Sequence, residues 1–134
     1  MIDAESEIFA QIAARVRATY PKVFITGEYV SAPSSFPCVS LVEVDNAALR
    51  STQTQAAQEN HAAVTYEVNI YSNKKTGKKA ECKELAAFID ELLAAWNFTR
   101  MMLEPLPNIQ DATIYRMLGR YRAVIDKNHT IFRR

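Results

Sequence analysis

Two histidines, two cysteines and one glycine–lysine pair are the residues from which chemistry could be built. His61 and His129 could each ligate a metal or carry a proton. Neither is followed by a cysteine, histidine or carboxylate at the third or fourth position, so the spacing completes no metal site. Cys38 and Cys82 lie far apart and form no C-x-x-C or zinc pattern. They read as small buried hydrophobes in a reducing compartment, and nothing in their spacing supports a disulfide. Gly77-Lys78 lies in the run Asn73-Lys74-Lys75-Thr76-Gly77-Lys78-Lys79. A phosphate-binding P-loop needs an upstream glycine and a serine or threonine after the lysine. Here Lys79 follows, so the run reads as a solvated strand-to-helix turn. The carboxylate pairs Glu81/Glu84 and Asp90/Glu91 fall on the expected solvent face of a helix, and Asp126 reads as a turn former. These residues assemble no nucleophile, base and orienting group. The expectation is a non-enzymatic protein with no catalytic residue, no cofactor and no metal.

The arginines are placed less evenly. Up to Ser72 the chain has 4 basic and 8 acidic residues; from Asn73 onward it has 12 and 7. The two parts therefore carry −4 and +5, although the whole chain carries only +1. A near-neutral balance excludes a histone-like basic polymer and an acidic solvating tail. Arg116, Arg120, Arg122, Lys127, Arg133 and Arg134 cluster late in the chain, interleaved with Tyr115, Tyr121 and Phe132. In an extended strand Arg116, Arg120 and Arg122 share one face, with Leu118 between them. Such a face could be solvated, could meet a protein partner, or could stack single-stranded nucleic acid. The small net charge weakens the last reading, because nucleic-acid affinity comes mostly from phosphate neutralisation.

The elements that would position these groups follow from periodicity. A chain of 134 residues, 49% hydrophobic, fits one domain with a real core. No apolar run is long enough to span a bilayer. The acidic start, Met1 to Glu7, lacks the basic and apolar regions of a secretory leader. Ile8, Phe9, Ile12 and Val16 predict a helix over 4–20, with Asp3 able to cap it, Glu5 and Glu7 at its positive end, and Pro21 ending it. Short strands are expected over 22–26 and 38–44, separated by a serine- and proline-rich loop. Residues 63–71 alternate cleanly, with Val64, Tyr66, Val68 and Ile70 on one side and Thr65, Glu67, Asn69 and Tyr71 on the other. A second helix is expected over 79–96, and Asn97 suits a left-handed position after it. Strands over 98–103, 112–126 and 130–132 follow, the first broken by Pro105 and Pro107, the second bulged or kinked at Gly119. The predicted fold class is α+β, a mainly antiparallel or mixed sheet with two helices packed on one face. Residues 45–61 have no clean period and read as a long polar loop between the arms of a hairpin, a length commonly reserved for function or disorder.

Three stretches carry a family resemblance. The first is Val64-Thr65-Tyr66-Glu67-Val68-Asn69-Ile70-Tyr71-Ser72-Asn73, running into Gly77-Lys78-Lys79 and a helix. The second is Trp96-Asn97-Phe98-Thr99-Arg100-Met101. The third is Arg116-Met117-Leu118-Gly119-Arg120-Tyr121-Arg122-Ala123-Val124-Ile125-Asp126, closing with Thr130-Ile131-Phe132-Arg133-Arg134. Together they resemble the tail terminator proteins (tail completion, or tail-to-head joining) of long-tailed phages and prophages. The resemblance covers most of the chain after about residue 60; the leading helix and first strands agree in order only.

The resemblance implies a structural role in virion assembly. Members form a ring, usually of six subunits, at the head-proximal end of the tail tube. The implied partners are further copies of the chain, the tail tube protein and a neck or head-completion protein, with no membrane and nucleic acid at most incidental. The implied location is the host cytoplasm during assembly and then the neck of the tail. A ring uses heterologous contacts, one patch of each subunit against a different patch of the next. The contact residues expected on this reading are Arg50, Gln53, Gln55 and Gln58 in the long loop, and Arg116, Arg120, Arg122, Arg133 and Arg134 near the C-terminus. The loop assignment comes from its polarity and not from a family motif. Another head–tail connector, such as a head-closure or adaptor protein, and a nucleic-acid module using the arginine–tyrosine strand are the alternatives.

Overall fold

The structure, a computed structural model, describes residues 1–50, 60–107 and 111–132. Its elements run α1 (Glu5–Thr19), β1 (Phe24–Thr26), β2 (Cys38–Ala48), β3 (His61–Ser72), α2 (Lys78–Ala95), β4 (Thr99–Leu106), β5 (Tyr115–Asp126) and β6 (Ile131–Phe132). The six strands form one mixed sheet in the order β1-β2-β3-β5-β4, with β6 beside β4 on the outer side of β5. Only β1 and β2 pair in parallel. This is the expected α+β class.

The alternation read from 63–71 decides which face of the sheet the helices cover. Val64, Tyr66, Val68 and Ile70 join Val39 and Leu41 of β2 and Met117, Tyr121, Ala123 and Ile125 of β5 in one core. Ile8, Ile12, Ala13 and Val16 of α1 and Cys82, Leu85, Ala86, Ile89 and Leu93 of α2 complete it from above. Each fully buried leucine or isoleucine there contributes about 1.5–3 kcal/mol. Asn97 takes the expected left-handed conformation, with φ 69°. Asp3 lies just outside the cap position of α1, yet its Oδ1 accepts from the Glu5 N–H at 3.2 Å.

Several boundaries differ from expectation. β2 runs on to Ala48 and β3 begins at His61, so the predicted 45–61 loop is strand at its two ends, over 45–48 and at His61. Asp45, Ala47 and Ala48 are exposed there, although the strand they pair with still contributes Ala62 and Val64 to the core. Residues 51–59 lie outside the described residues. β4 does not stop before Pro105, which pairs with Met117. An edge strand tolerates a residue with no N–H to donate. Gly119 makes no bulge: it pairs regularly with Val68 and Leu103. A side chain there would stand 3.2 Å from the Tyr121 ring and 3.3 Å from Leu103. The bulges fall elsewhere, between Glu43 and Asp45 in β2 and between Arg100 and Met102 in β4. Each leaves one hydrophobic residue exposed, Val44 and Met101 respectively, and each changes which neighbours share a face.

Candidate interaction surface on the open face of the sheet

The helices cover one side of the sheet, and the other side carries the arginines. In β5, Arg116, Leu118, Arg120 and Arg122 alternate with the core residues Met117, Tyr121 and Ala123. The register sets Arg116 against Tyr71, Leu118 against Asn69, Arg120 against Glu67 and Arg122 against Thr65. On the other side of β5 they meet Leu106, Glu104, Met102 and Thr99. The common face expected for Arg116, Arg120 and Arg122 is therefore formed, on β5, one strand in from the β4 edge of the sheet.

These side chains are tied into one polar network. Arg116 donates to Asn69 Oδ1 from Nε at 3.0 Å and from Nη2 at 2.7 Å. Its guanidinium also sits 5.5 Å from the centre of the Tyr71 ring, within cation–π range. Asn69 Nδ2 donates to Glu67 Oε1 at 3.1 Å, and Arg120 Nε donates to Glu67 Oε2 at 3.3 Å. The amide orientation of Asn69 follows from having a donor on one side and an acceptor on the other. At the far end the Tyr71 hydroxyl donates to the Val30 carbonyl at 2.9 Å, so part of the loop between β1 and β2 lies against this face. Asn69 and Tyr71 point away from the helices yet are buried, Tyr71 against the Val30 loop and Asn69 between Arg116 and Glu67.

Arg122 differs from its neighbours. It is half-buried, and its Nε is enclosed without a hydrogen-bond partner. Arg120 is half-exposed and offers its remaining nitrogens to solvent. The surface is thus a preorganised patch with two arginines held in place and one not yet satisfied.

The remaining candidates are distributed elsewhere. Arg50 is exposed at the end of the β2–β3 hairpin, away from the arginine face in sequence and register. Gln53, Gln55, Gln58, Arg133 and Arg134 lie outside the described residues. His129 Nδ1 is 2.9 Å from Glu7 Oε2, joining the β5–β6 turn to the start of α1. His61 stacks obliquely on Phe132. Burial pushes the Cys38 thiol up to about 11 and the Cys82 thiol up to about 12, so both are protonated at neutral pH. Asp126 is the expected turn former: its Oδ1 accepts from the N–H groups of Asn128 and Thr130.

Two carboxylates are not the solvated charges expected of them. Glu81 accepts from Ser72 Oγ at 2.6 Å and stands 3.5 Å from Lys74 Nζ, closing the β3–α2 turn. Asp90 Oδ1 accepts from the Tyr121 hydroxyl at 2.8 Å and from Arg100 at 3.3 Å. The bulge in β4 lets Arg100 reach it, by placing Arg100 on the same face as Leu103. Sequence spacing could not show either pairing, because each joins a helix to a separate element. Among the described residues no helix is long and apolar enough to cross a membrane.

No protein-family model matches this chain, and no curated protein matches it.

Proposed function

We propose that the protein is a structural subunit of a phage tail, a tail terminator that closes into a ring at the head-proximal end of the tail tube and joins it to the neck. The observation that carries this reading is the preorganised Arg116–Asn69–Glu67–Arg120 network on the uncovered face of the sheet. Arginines locked by neighbours lose little freedom on binding, which suits a repeated protein contact. The sequence stretches that resemble tail terminators support it too. They fall on β3, α2, the start of β4, β5 and β6, which are contiguous in the fold.

The same network argues against nucleic acid as the main partner. Arg120 is already neutralised by Glu67, and Arg116 is engaged by Asn69 and Tyr71. Phosphate binding depends on cations free to release counterions.

The test is capping. The protein is added to tail-tube protein from the phage or prophage that encodes it while tubes are polymerising. Tubes that stop at defined lengths, with a ring at one end, are the expected result. Tubes that grow unchanged would overturn the assignment, and binding to portal complexes without tube binding would reassign the protein to another layer of the neck.

A further inference from the structure

A group of three carboxylates lies on the helix-covered side, remote from the arginine face. Oxygens of Asp3, Glu5 and Glu43 all lie within 4.8 Å of one another. Asp3 and Glu5 come from the start of α1, and Glu43 comes from β2, 38 residues on from Glu5. The β2 bulge builds the inner wall. Before it, Val39, Leu41 and Glu43 face the helices; after it, Asn46 does, opposite Val64. Glu43 and Asn46 are thereby brought to one side. Backbone bonds hold the group in place: Glu5 Oε2 accepts from the Glu43 N–H at 2.8 Å, and Asn46 Nδ2 donates to the Ile2 carbonyl at 2.7 Å.

An independent observation comes from beneath the cluster. Tyr66 is fully buried and stands directly across from Glu43 in the sheet register. Both Tyr66 and Glu43 face the helices, and the Tyr66 hydroxyl interacts with the charges of Glu43, Glu5 and Asp3. The hydroxyl comes close to the Glu43 carboxylate without reaching the geometry of a hydrogen bond, and both it and Glu43 Oε1 are buried without a partner. Burial pushes the Glu43 carboxyl up from the usual range, with the Tyr66 and Asn46 side chains pulling it back and Glu5 and Asp3 adding to the rise. Among the described residues no lysine or arginine forms an ion pair with any of the three carboxylates. A buried carboxylate oxygen without a partner is unfavourable, and a cation among the oxygens gives it one.

We propose that Asp3, Glu5 and Glu43, with the Tyr66 hydroxyl at their inner wall, form a binding site for a divalent cation of the calcium type. The donors are all hard oxygens, which select calcium or magnesium over thiolate- and imidazole-seeking metals. Oxygens on opposite sides of a calcium ion stand about 4.6–5.2 Å apart, from Ca–O distances of about 2.3–2.6 Å. The observed spread accommodates that ion, with water completing the shell. Bound there, the cation clamps the start of α1 to β2, elements far apart in sequence.

Terbium, a luminescent stand-in for calcium, tests the site on the full chain. Tyr66 lies against the cluster and so sensitises bound terbium when tyrosine is excited. The expected result is saturable emission, displaced by calcium, with affinity lowered roughly 10-fold or more in Asp3→Asn and in Glu43→Gln, as for loss of a metal-site partner. Asp3 is exposed, so Asp3→Asn reports on binding even if the buried substitution perturbs folding. Emission absent at every terbium concentration, or unchanged in affinity in Asp3→Asn, would overturn the proposal. A calcium-dependent rise in melting temperature at matched ionic strength, lost in Asp3→Asn, is the second expected readout; no rise would contradict the clamp.

Discussion

Arg116 holds the buried Asn69 side chain by two nitrogens on a single oxygen, at 3.0 and 2.7 Å. Its neighbour Arg120, on the same face, makes one contact of 3.3 Å to Glu67 from a side chain that is half in solvent. The two arginines look equivalent in sequence, but Arg116 is tied into the network more firmly than Arg120.

Their stabilities upon truncation should therefore differ. Arg116→Ala leaves a buried amide oxygen unpartnered and should cost about 1–3 kcal/mol. Arg120→Ala removes a single contact from a side chain that is half in solvent and should cost under about 1 kcal/mol. Urea denaturation of both variants checks the ordering; equal losses would mean that the network does not discriminate between them.

Tyr121 is tied to α2 through Asp90. Tyr121→Phe keeps the buried ring and deletes only this charge-assisted bond, so a loss of about 1–2 kcal/mol is expected. Asp90→Asn should lose less, since an amide oxygen can still accept from the tyrosine. Thermal melts of the two variants make the comparison.

Alkaline pH should unfold the protein through its buried acids. Cys38 and Cys82 are raised from about 9 to about 11 and about 12, and Tyr66, Tyr71 and Tyr121 are raised above the usual tyrosine value, all chiefly by burial. In each case the protonated form is favoured by the fold. Their contribution is complete below the unfolded-state values and is lost as pH climbs towards the folded ones. The melting temperature should fall steadily from about pH 9 upward. Below that pH a thiol reagent should label neither cysteine in the native protein and both in denaturant.

What was legible in the sequence was what local periodicity encodes. The alternation Val64, Tyr66, Val68, Ile70 located the core face of β3, and the stripe Cys82, Leu85, Ala86, Ile89, Leu92, Leu93 and Trp96 located α2, its Leu92 and Trp96 proving only partly buried. The face shared by Arg116, Arg120 and Arg122 followed from the same two-residue period. The length of β2 was not legible, because Asp45 to Ala48 are mostly exposed and show no apolar alternation, although they pair with Thr65 to Ala62. Nor were the two bulges, which depend on the partner strand. The burial of Asn69 and Tyr71, on the other side of the alternation, was not legible because the Arg116 side chain and the Val30 carbonyl that meet them are distant in sequence. The Asp3–Glu5–Glu43 group was hidden for a related reason: Asp3 and Glu5 read as ordinary partners of a helix start, and the third member arrives from another element.

The β2–β3 hairpin offers a separate test of the assembly reading. Leu49 N–H still donates to the His61 carbonyl at 2.9 Å, so the two strands remain paired on either side of residues 51–59. Replacing 51–59 by an Asn-Gly turn should leave the melting temperature close to that of the parent, since such a turn closes a hairpin readily. On the proposed function the shortened protein should no longer cap tail tubes. Normal capping would remove Gln53, Gln55 and Gln58 from the contact surface.

The most direct test of the central claim is the mass of the assembled species. Light scattering behind a sizing column would follow the parent and the Arg120→Glu, Arg122→Glu double variant over a concentration series, with and without tail-tube fragments, and negative-stain images of the largest species. The account predicts a closed ring of the parent and only smaller, still folded species of the variant. Identical mass distributions for the two proteins, or a parent that stays monomeric even with tubes present, would contradict it.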